Sequence, residues 1–306
     1  MLSANPIPIQ PIHHPILDEK QVQLAVLRLD QVHEEVSGNK FFKLKYNLEE
    51  VKKQGKTTVL SFGGAFSNHI QALSAAAKIT GLKSIGIIRG EESSKTNPTL
   101  SKAVENGMRL HFVSREEYRH KTDPKFIEAL ERQFGDFFLI PEGGTNAFAI
   151  RGTREILGLT QGSFSHIAVS MGTGGTFAGI AASMDEGQVL LGFPALKGAW
   201  INEEINQLLH TEGIVPKGHL HLIQDYHFGG YAKWKPELIE FIRWFWREFQ
   251  IPLDPIYSGK MAFGLWDLIE SGFFPAKSVI LMIHTGGLQG IEGFTAMTGE
   301  VFPQLF

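Results

Sequence analysis

Cysteine is absent from all 306 positions of the chain, which excludes disulfides, thiolate metal sites and a cysteine nucleophile. Large net charge is absent too. The formal value is -3, and no lysine or arginine stripe is interleaved with aromatics, so no nucleic-acid partner is expected. The amino-terminal stretch has prolines at 6, 8, 11 and 15 and no continuous apolar run, so no signal peptide is predicted. The uncharged stretch between Glu155 and Asp185 is too rich in Gly, Ser and Thr for a membrane span, and the cytoplasm is the expected location. Three signatures are also missing: Gly-x-x-x-x-Gly-Lys-Ser/Thr, the Gly-x-Ser-x-Gly elbow and His-Glu-x-x-His. Their absence argues against a nucleotide triphosphatase, a serine hydrolase and a zinc protease.

What remains is ordinary for a folded, soluble chain: 43% hydrophobic and 20% charged residues. The length exceeds what one core usually supports, so two domains are expected. From Thr57, apolar runs alternate with helical segments: TTVLSF and HIQALSAAAKIT, SIGII and NPTLSKAVENG, MRLHFV and DPKFIEALERQF, then FFLI. This alternation predicts βα units on a parallel sheet. Gly81 and Gly107 follow two of the helices as C-terminal caps would, and Asp123-Pro124 suits an N-cap followed by N1. After Pro141 a second series begins with HIAVS and TFAGIAASM and ends with KSVILMI, predicting another parallel sheet with helices on both faces. The boundary falls near residue 145. The aromatics Phe241, Trp244, Phe245, Trp246 and Phe249 share one helix, a pattern of core or subunit interface.

Three segments are candidates for chemistry. In Ser37-Gly38-Asn39-Lys40-Phe41-Phe42-Lys43, the glycine permits a tight turn that would present Lys40 in a cleft as a Schiff-base amine. Alone, the segment reads more readily as a solvated amphipathic edge carrying Lys40, Lys43 and Lys45. Ser61-Phe62-Gly63-Gly64-Ala65-Phe66-Ser67-Asn68-His69 lies where a strand ends and a helix begins, the ligand-binding edge of α/β sheets. Ser67 or Asn68 there could cap the helix or meet a carboxylate. Met171-Gly172-Thr173-Gly174-Gly175-Thr176 sits at another strand-to-helix turn, where successive amides and two hydroxyls can surround a phosphate. It lacks the third glycine of a dinucleotide fingerprint, and Phe193 stands where an acidic residue should end the next strand, which demotes a nicotinamide dehydrogenase. His219 and His221 share a strand face, but no third ligand is visible and no metal site is predicted.

Together these segments resemble the pyridoxal-phosphate enzymes of the tryptophan synthase β-like fold (fold type II), and within it the 1-aminocyclopropane-1-carboxylate deaminase/D-cysteine desulfhydrase family. Further marks are Leu253-Asp254-Pro255-Ile256-Tyr257-Ser258-Gly259-Lys260 and His284-Thr285-Gly286-Gly287. The resemblance spans nearly the whole chain. It implies an α/β protein of two domains, each a mainly parallel sheet flanked by helices. Residues 1–51 and 146–306 would form the larger cofactor-binding domain, and 52–145 the smaller substrate-side domain. It also implies pyridoxal 5'-phosphate as cofactor, a small amino acid as substrate and a homodimer. By position, Lys40 resembles the lysine that holds the cofactor, Lys43 a phosphate contact and Asn68 a partner of the cofactor's phenolic oxygen. Ser67, Asn68 and His69 would meet the substrate, and Thr173, Gly174, Gly175 and Thr176 the phosphate. Tyr231 and Tyr257 match two active-site tyrosines and, with Lys40 and Ser67, make up the implied catalytic set. Ser37 departs from the commoner Gly-Gly-Asn-Lys, and the region before Lys40 is shorter than usual.

Members that open the cyclopropane ring place glutamate after the second tyrosine and leucine after the histidine; this chain has Ser258 and Thr285. An acidic partner would keep the pyridine nitrogen protonated and strengthen the electron sink, whereas a hydroxyl does so less well. Either Ser258 or Thr285 could be that hydroxyl. The resemblance therefore implies a lyase that eliminates across Cα and Cβ, with D-cysteine giving pyruvate, hydrogen sulfide and ammonia. The alternatives are cyclopropane deamination, serine-type dehydration, and a non-catalytic cofactor-binding or ligand-sensing protein on the same fold.

Overall fold

The alternating apolar runs form parallel strands, and the segments of helical period form the helices that cover them. The computed structural model describes residues 2–90, 97–160, 162–198 and 200–302. The amino-terminal part contains β1 (Ile9–Ile12), α1 (Pro15–Glu19), β2 (Gln23–Leu27) and α2 (Asn39–Lys53). Next come β3 (Thr58–Gly64), α3 (Asn68–Thr80), β4 (Lys83–Arg89), α4 (Pro98–Glu105), β5 (Arg109–Val113), α5 (Arg115–Arg119), α6 (Pro124–Phe134) and β6 (Phe138–Ile140). The remainder comprises α7 (Ala147–Thr153), β7 (His166–Met171), α8 (Gly175–Ala181), β8 (Val189–Pro194), α9 (Trp200–Thr211), β9 (His219–Leu222), α10 (Pro236–Phe249), α11 (Ser258–Glu270), β10 (Val279–Ile283) and α12 (Gly290–Thr298).

The strands make two sheets. One is four-stranded and wholly parallel, in the order β5-β4-β3-β6. The other is six-stranded, in the order β1-β2-β10-β7-β8-β9, with only β1 antiparallel to its neighbour. β1 and β2 lie upstream of the predicted series and fill one edge of the larger sheet. Pro11 within β1 is tolerated because an edge strand can do without one N–H. Among the described residues, no helix is long and apolar enough to cross a membrane.

Alternation along the central strands divides the core. In β7, Ile167 and Val169 pack into one apolar cluster and Ala168 into another. In β10, Leu281 and Ile283 join the first cluster, while Ile280 and Met282 join the second. Both faces are covered, as the near-continuous apolar runs require. The aromatics of α10 turn inward: Phe245 is buried, and the Trp244 and Trp266 rings meet edge to face at 4.9 Å, packing α10 on α11. Phe241, Trp244, Phe245 and Phe249 all pack into one apolar core cluster. The caps behave as predicted. Gly81 adopts φ 72° after α3, and the Asp123 carboxylate accepts from the Lys125 N–H at the start of α6.

Where α2 crosses α7 the backbones nearly touch. A Cβ at Gly152 would lie 1.9 Å from the Phe42 carbonyl oxygen, whereas one at Gly158 would meet nothing within 4 Å. Gly152→Ala is expected to cost about 2–3 kcal/mol in urea denaturation by forcing these helices apart. Gly158→Ala should stay within about 0.5 kcal/mol of the parent.

Candidate active site

A cleft of about 600 Å³ opens between the two sheets. Its wall consists largely of segments that leave the carboxyl ends of parallel strands. Gly64 to His69 run on from the last residue of β3, Arg89 ends β4, and Glu142 and Gly143 follow β6; across from them, Ser170 to Thr176 run on from the end of β7 and Thr285 to Gly287 follow β10. This is where open parallel sheets bind ligands, because loops and helix starts converge there with unspent amides.

Lys40 and Lys43 reach the cleft from the first turns of α2. Gly38 begins that helix at φ 67°, and a Cβ there would lie 2.0 Å from the Thr285 carbonyl oxygen, which accepts from the Asn39 N–H at 3.1 Å. Only glycine permits this approach. Lys40 donates to Asn39 Oδ1 at 3.2 Å, while Asn39 Nδ2 donates to Thr176 Oγ1 at 2.7 Å. Lys43 donates to the Gly143 carbonyl at 2.8 Å, Thr145 Oγ1 at 2.9 Å and Thr173 Oγ1 at 3.3 Å. Burial pushes the Lys40 ammonium down to about 8 despite the opposing field of Asp254. Burial and then the neighbouring Lys40 hold Lys43 well below the ordinary lysine range. Two cations near the amino end of a helix oppose each other and the helix dipole, and those three oxygen partners of Lys43 are all neutral. The arrangement favours an anion.

The opposite wall carries Ser67, Asn68 and His69. Ser67 is the N-cap of α3, accepting from the Ile70 N–H at 3.3 Å, so the capping alternative holds for it while it also lines the cleft. The side-chain oxygen of Asn68 is buried with no hydrogen-bond partner in the protein. A buried, unpartnered oxygen is costly and suits a donor on a guest. His69 Nε2 lies 2.9 Å from Ser61 Oγ, which itself donates to the Pro141 carbonyl at 3.3 Å; the serine therefore accepts from Nε2–H, leaving Nδ1 a lone pair without a partner. Burial first, then the fields of Lys40 and Lys43, keep this imidazole neutral.

The turn from Gly172 to Thr176 faces Lys43. A Cβ at Gly175 would stand 2.8 Å from Thr145 Oγ1 and 3.1 Å from Lys43 Nζ, and Gly174 turns at φ 76°. Side chains there would fill the space in front of the ammonium. Bare glycines leave a polar cradle of amides and hydroxyls sized for a phosphate.

Tyr231 and Tyr257 stand edge to face with ring centroids 6.1 Å apart. Burial, the neighbouring hydroxyl and Asp254 raise Tyr257 well above the ordinary phenol range; burial and then Asp254 raise Tyr231. Both are proton donors at neutral pH. Ser258 behaves differently from the other candidates. Its hydroxyl donates to Asp254 Oδ2 at 2.6 Å and accepts from the Asp254 N–H at 2.9 Å, and it is not part of the cleft wall. Asp254 also accepts from the N–H groups of Ile256, Tyr257 and Ser258, so this buried carboxylate is spent on shaping the turn that presents Tyr257. The hydroxyl that does line the cleft is Thr285, 2.8 Å from that of Ser170.

Lys40, Lys43, Ser67, Asn68, His69, Thr173, Gly174, Gly175, Thr176, Tyr231, Tyr257 and Thr285 thus line one cleft, and Ser258 sits behind its wall. The cleft also contains Asn39, Arg89, Glu142 and Ser170, which were not candidates. Arg89 and Ser170 lie at the carboxyl ends of β4 and β7, so applying the strand-end rule to every strand would have found them. Glu142 accepts from the Tyr118 hydroxyl at 2.8 Å and pairs with Lys121 at 3.4 Å, partnerships that no local motif announces.

Residues 5–286 match the family described as pyridoxal-phosphate dependent enzyme. A Pyrococcus horikoshii protein named putative 1-aminocyclopropane-1-carboxylate deaminase is 31% identical, covering 83% of this chain and 81% of its own. An Arabidopsis thaliana mitochondrial protein, named bifunctional D-cysteine desulfhydrase/1-aminocyclopropane-1-carboxylate deaminase, is also 31% identical, covering 88% of this chain and 73% of its own. A Yersinia pestis D-cysteine desulfhydrase is 28% identical, with 89% and 88% covered. The crystal structure of a homologue of the cyclopropane deaminase superposes with a TM-score of 0.82 at 27% identity, covering 97% of this chain and 93% of that one. The buried cations, the unpartnered Asn68 oxygen and the glycine cradle suit the phosphate and polar ring of the cofactor this family uses, and the chain belongs to the pyridoxal-phosphate dependent enzymes.

Proposed function

We propose that the protein is a D-cysteine desulfhydrase-like lyase that converts a small β-substituted amino acid to a keto acid, ammonia and the departing β-group. The observation that carries this reading is the neutral hydroxyl pair of Thr285 and Ser170 on the cleft wall, with the carboxylate of Asp254 already committed to its own turn. A hydroxyl leaves the ring a moderate electron sink, sufficient where a β-group departs with the bonding electrons and less suited to opening a cyclopropane. The names of the relatives from Yersinia pestis and Arabidopsis thaliana support the same substrate class.

In this reading Lys43, Thr173, Gly174, Gly175 and Thr176 hold the phosphate, Lys40 is the point of covalent attachment, and Asn68 meets the ring's phenolic oxygen. When bound, pyridoxal phosphate supplies an aldehyde that engages an amine and a ring that withdraws electrons from the bonds at Cα. Ser67, Asn68 and the adjacent amides orient the substrate carboxylate, and neutral His69 presents an acceptor beside them. The Lys40 amine, with its ammonium pushed down to about 8, takes the Cα proton. Tyr257, supported by Tyr231, gives a proton to the departing sulfur, so that for D-cysteine the β-group leaves as hydrogen sulfide. The released enamine hydrolyses in water to pyruvate and ammonia. Assembly as a homodimer in the cytoplasm belongs to the same proposal, with light scattering of the purified protein as the check on assembly.

The purified protein should show a visible cofactor band that borohydride abolishes, leaving a mass adduct on the peptide containing Lys40. D-cysteine should yield pyruvate, and 1-aminocyclopropane-1-carboxylate should yield little ammonia. Lys40→Ala should lose the adduct and lower turnover by at least about a thousandfold; a variant of near-normal activity would remove Lys40 from its role. Ammonia release from the cyclopropane amino acid exceeding pyruvate release from D-cysteine would assign the protein to ring opening instead.

The same lysine carries a stability signature. Its ammonium is pushed down from 10.5 to about 8 in the fold, so below about 8 the full cost of burying that charge is present. Between those values the unfolded chain binds more protons, and stability rises with pH. The shift corresponds to at most about 3 kcal/mol. Cofactor-free protein should therefore be stabilised at pH 7 by Lys40→Met, with the difference shrinking by pH 10; chemical denaturation at the two pH values measures it.

A further inference from the structure

Lys260 is an isolated oddity: a lysine only 2% exposed that is not part of the cleft wall. Its ammonium donates to the carbonyl oxygens of His227 at 2.9 Å and Gly230 at 2.7 Å. Both oxygens already accept backbone bonds, from the N–H groups of Gly230 and Lys233, so the lysine takes a second lone pair from each. The segment it grips is strained. Phe228, Gly229, Gly230 and Ala232 turn at φ 54°, 98°, 119° and 55°, and the two that are not glycine occupy the left-handed region that L side chains disfavour. Beyond the grip lies Tyr231. Lys260 belongs to the first turn of α11, the turn whose N-cap is Tyr257. One helical turn therefore presents Tyr257 directly and holds the backbone that presents Tyr231.

We propose that Lys260 is a positioning residue that fixes the 227–232 turn so that the Tyr231 hydroxyl stays in register with that of Tyr257. A buried ammonium facing neutral oxygens is an expensive way to tie down a loop, since apolar packing would stabilise it as well. What the cation adds is direction. Two charge-assisted bonds converging from one atom fix the orientation of the peptides on either side of the strained residues. This inference rests on the placement of Tyr231 at the reacting centre, as given under the proposed function.

The test uses the cofactor-loaded protein and the variants Lys260→Met, Tyr231→Phe and their combination. Lys260→Met should lower kcat on the order of tenfold with KM within about twofold, and should add less than about twofold to the loss caused by Tyr231→Phe. Trypsin should cut after Lys233 at least about tenfold faster in Lys260→Met, with the rest of the chain as resistant as in the parent. Multiplicative losses in the combined variant, or a turn as resistant as the parent's, would overturn the proposal. Full activity of Tyr231→Phe would remove Tyr231 from the reacting centre, and the trypsin comparison would still decide whether Lys260 holds the turn. Should Lys260→Met fail to fold, Lys260→Gln carries the same comparisons, with two amide N–H donors on a shorter stem and intermediate effects expected.

Discussion

The ammonium of Lys43, buried where the two sheets meet, is the constraint on which the site depends. Its hydrogen bonds run to Gly143 and Thr145, beyond the end of the smaller sheet, and to Thr173, beyond a strand of the larger one. One side chain from α2 thus joins three segments distant in sequence. A cation surrounded by neutral oxygens is poorly compensated, and the nearby Lys40 makes matters worse. An anion such as a phosphate would relieve both problems, so the interaction that closes the fold at this point also favours an anionic guest. The site is destabilising without its guest, a common bargain between stability and function.

The rest of the cleft sorts its polar groups by charge state. One cleft holds neutral His69, a Lys40 of lowered pKa and two phenols held protonated. Combining a base with proton donors in this way is what an elimination needs, because one proton leaves Cα while another must reach the departing group. Asp254 shapes this field from behind the wall. Its carboxylate satisfies three backbone N–H groups and the Ser258 hydroxyl, while its negative field favours the Lys40 ammonium and the protonated phenols.

Much of the fold was legible in sequence because its signals are local. Strand period, the glycine caps after α3 and α4, and Asp123-Pro124 each act within a few residues. The 172–176 turn and the Gly38-Asn39-Lys40 segment were legible for the same reason: a backbone turn that side chains would obstruct must be written in glycine. β1 and β2 were less visible, since proline-punctuated strands at a sheet edge carry little periodicity. Arg89, Ser170 and Glu142 enter the site only because distant strands end side by side.

Ser258 and Thr285 separate what the two levels decide. Sequence by itself determined that this chain builds parallel sheets, carries a lysine after a tight turn and a glycine-rich strand-to-helix turn, and has hydroxyls rather than acids at positions 258 and 285. It left the two hydroxyls equivalent. The tertiary structure turned Ser258 inward onto Asp254 and set Thr285 beside Ser170 on the cleft wall. The physical reason is that hydrogen bonds are directional and pairwise: a residue type declares what it can donate or accept, and only the folded chain determines which partner is close enough to take it.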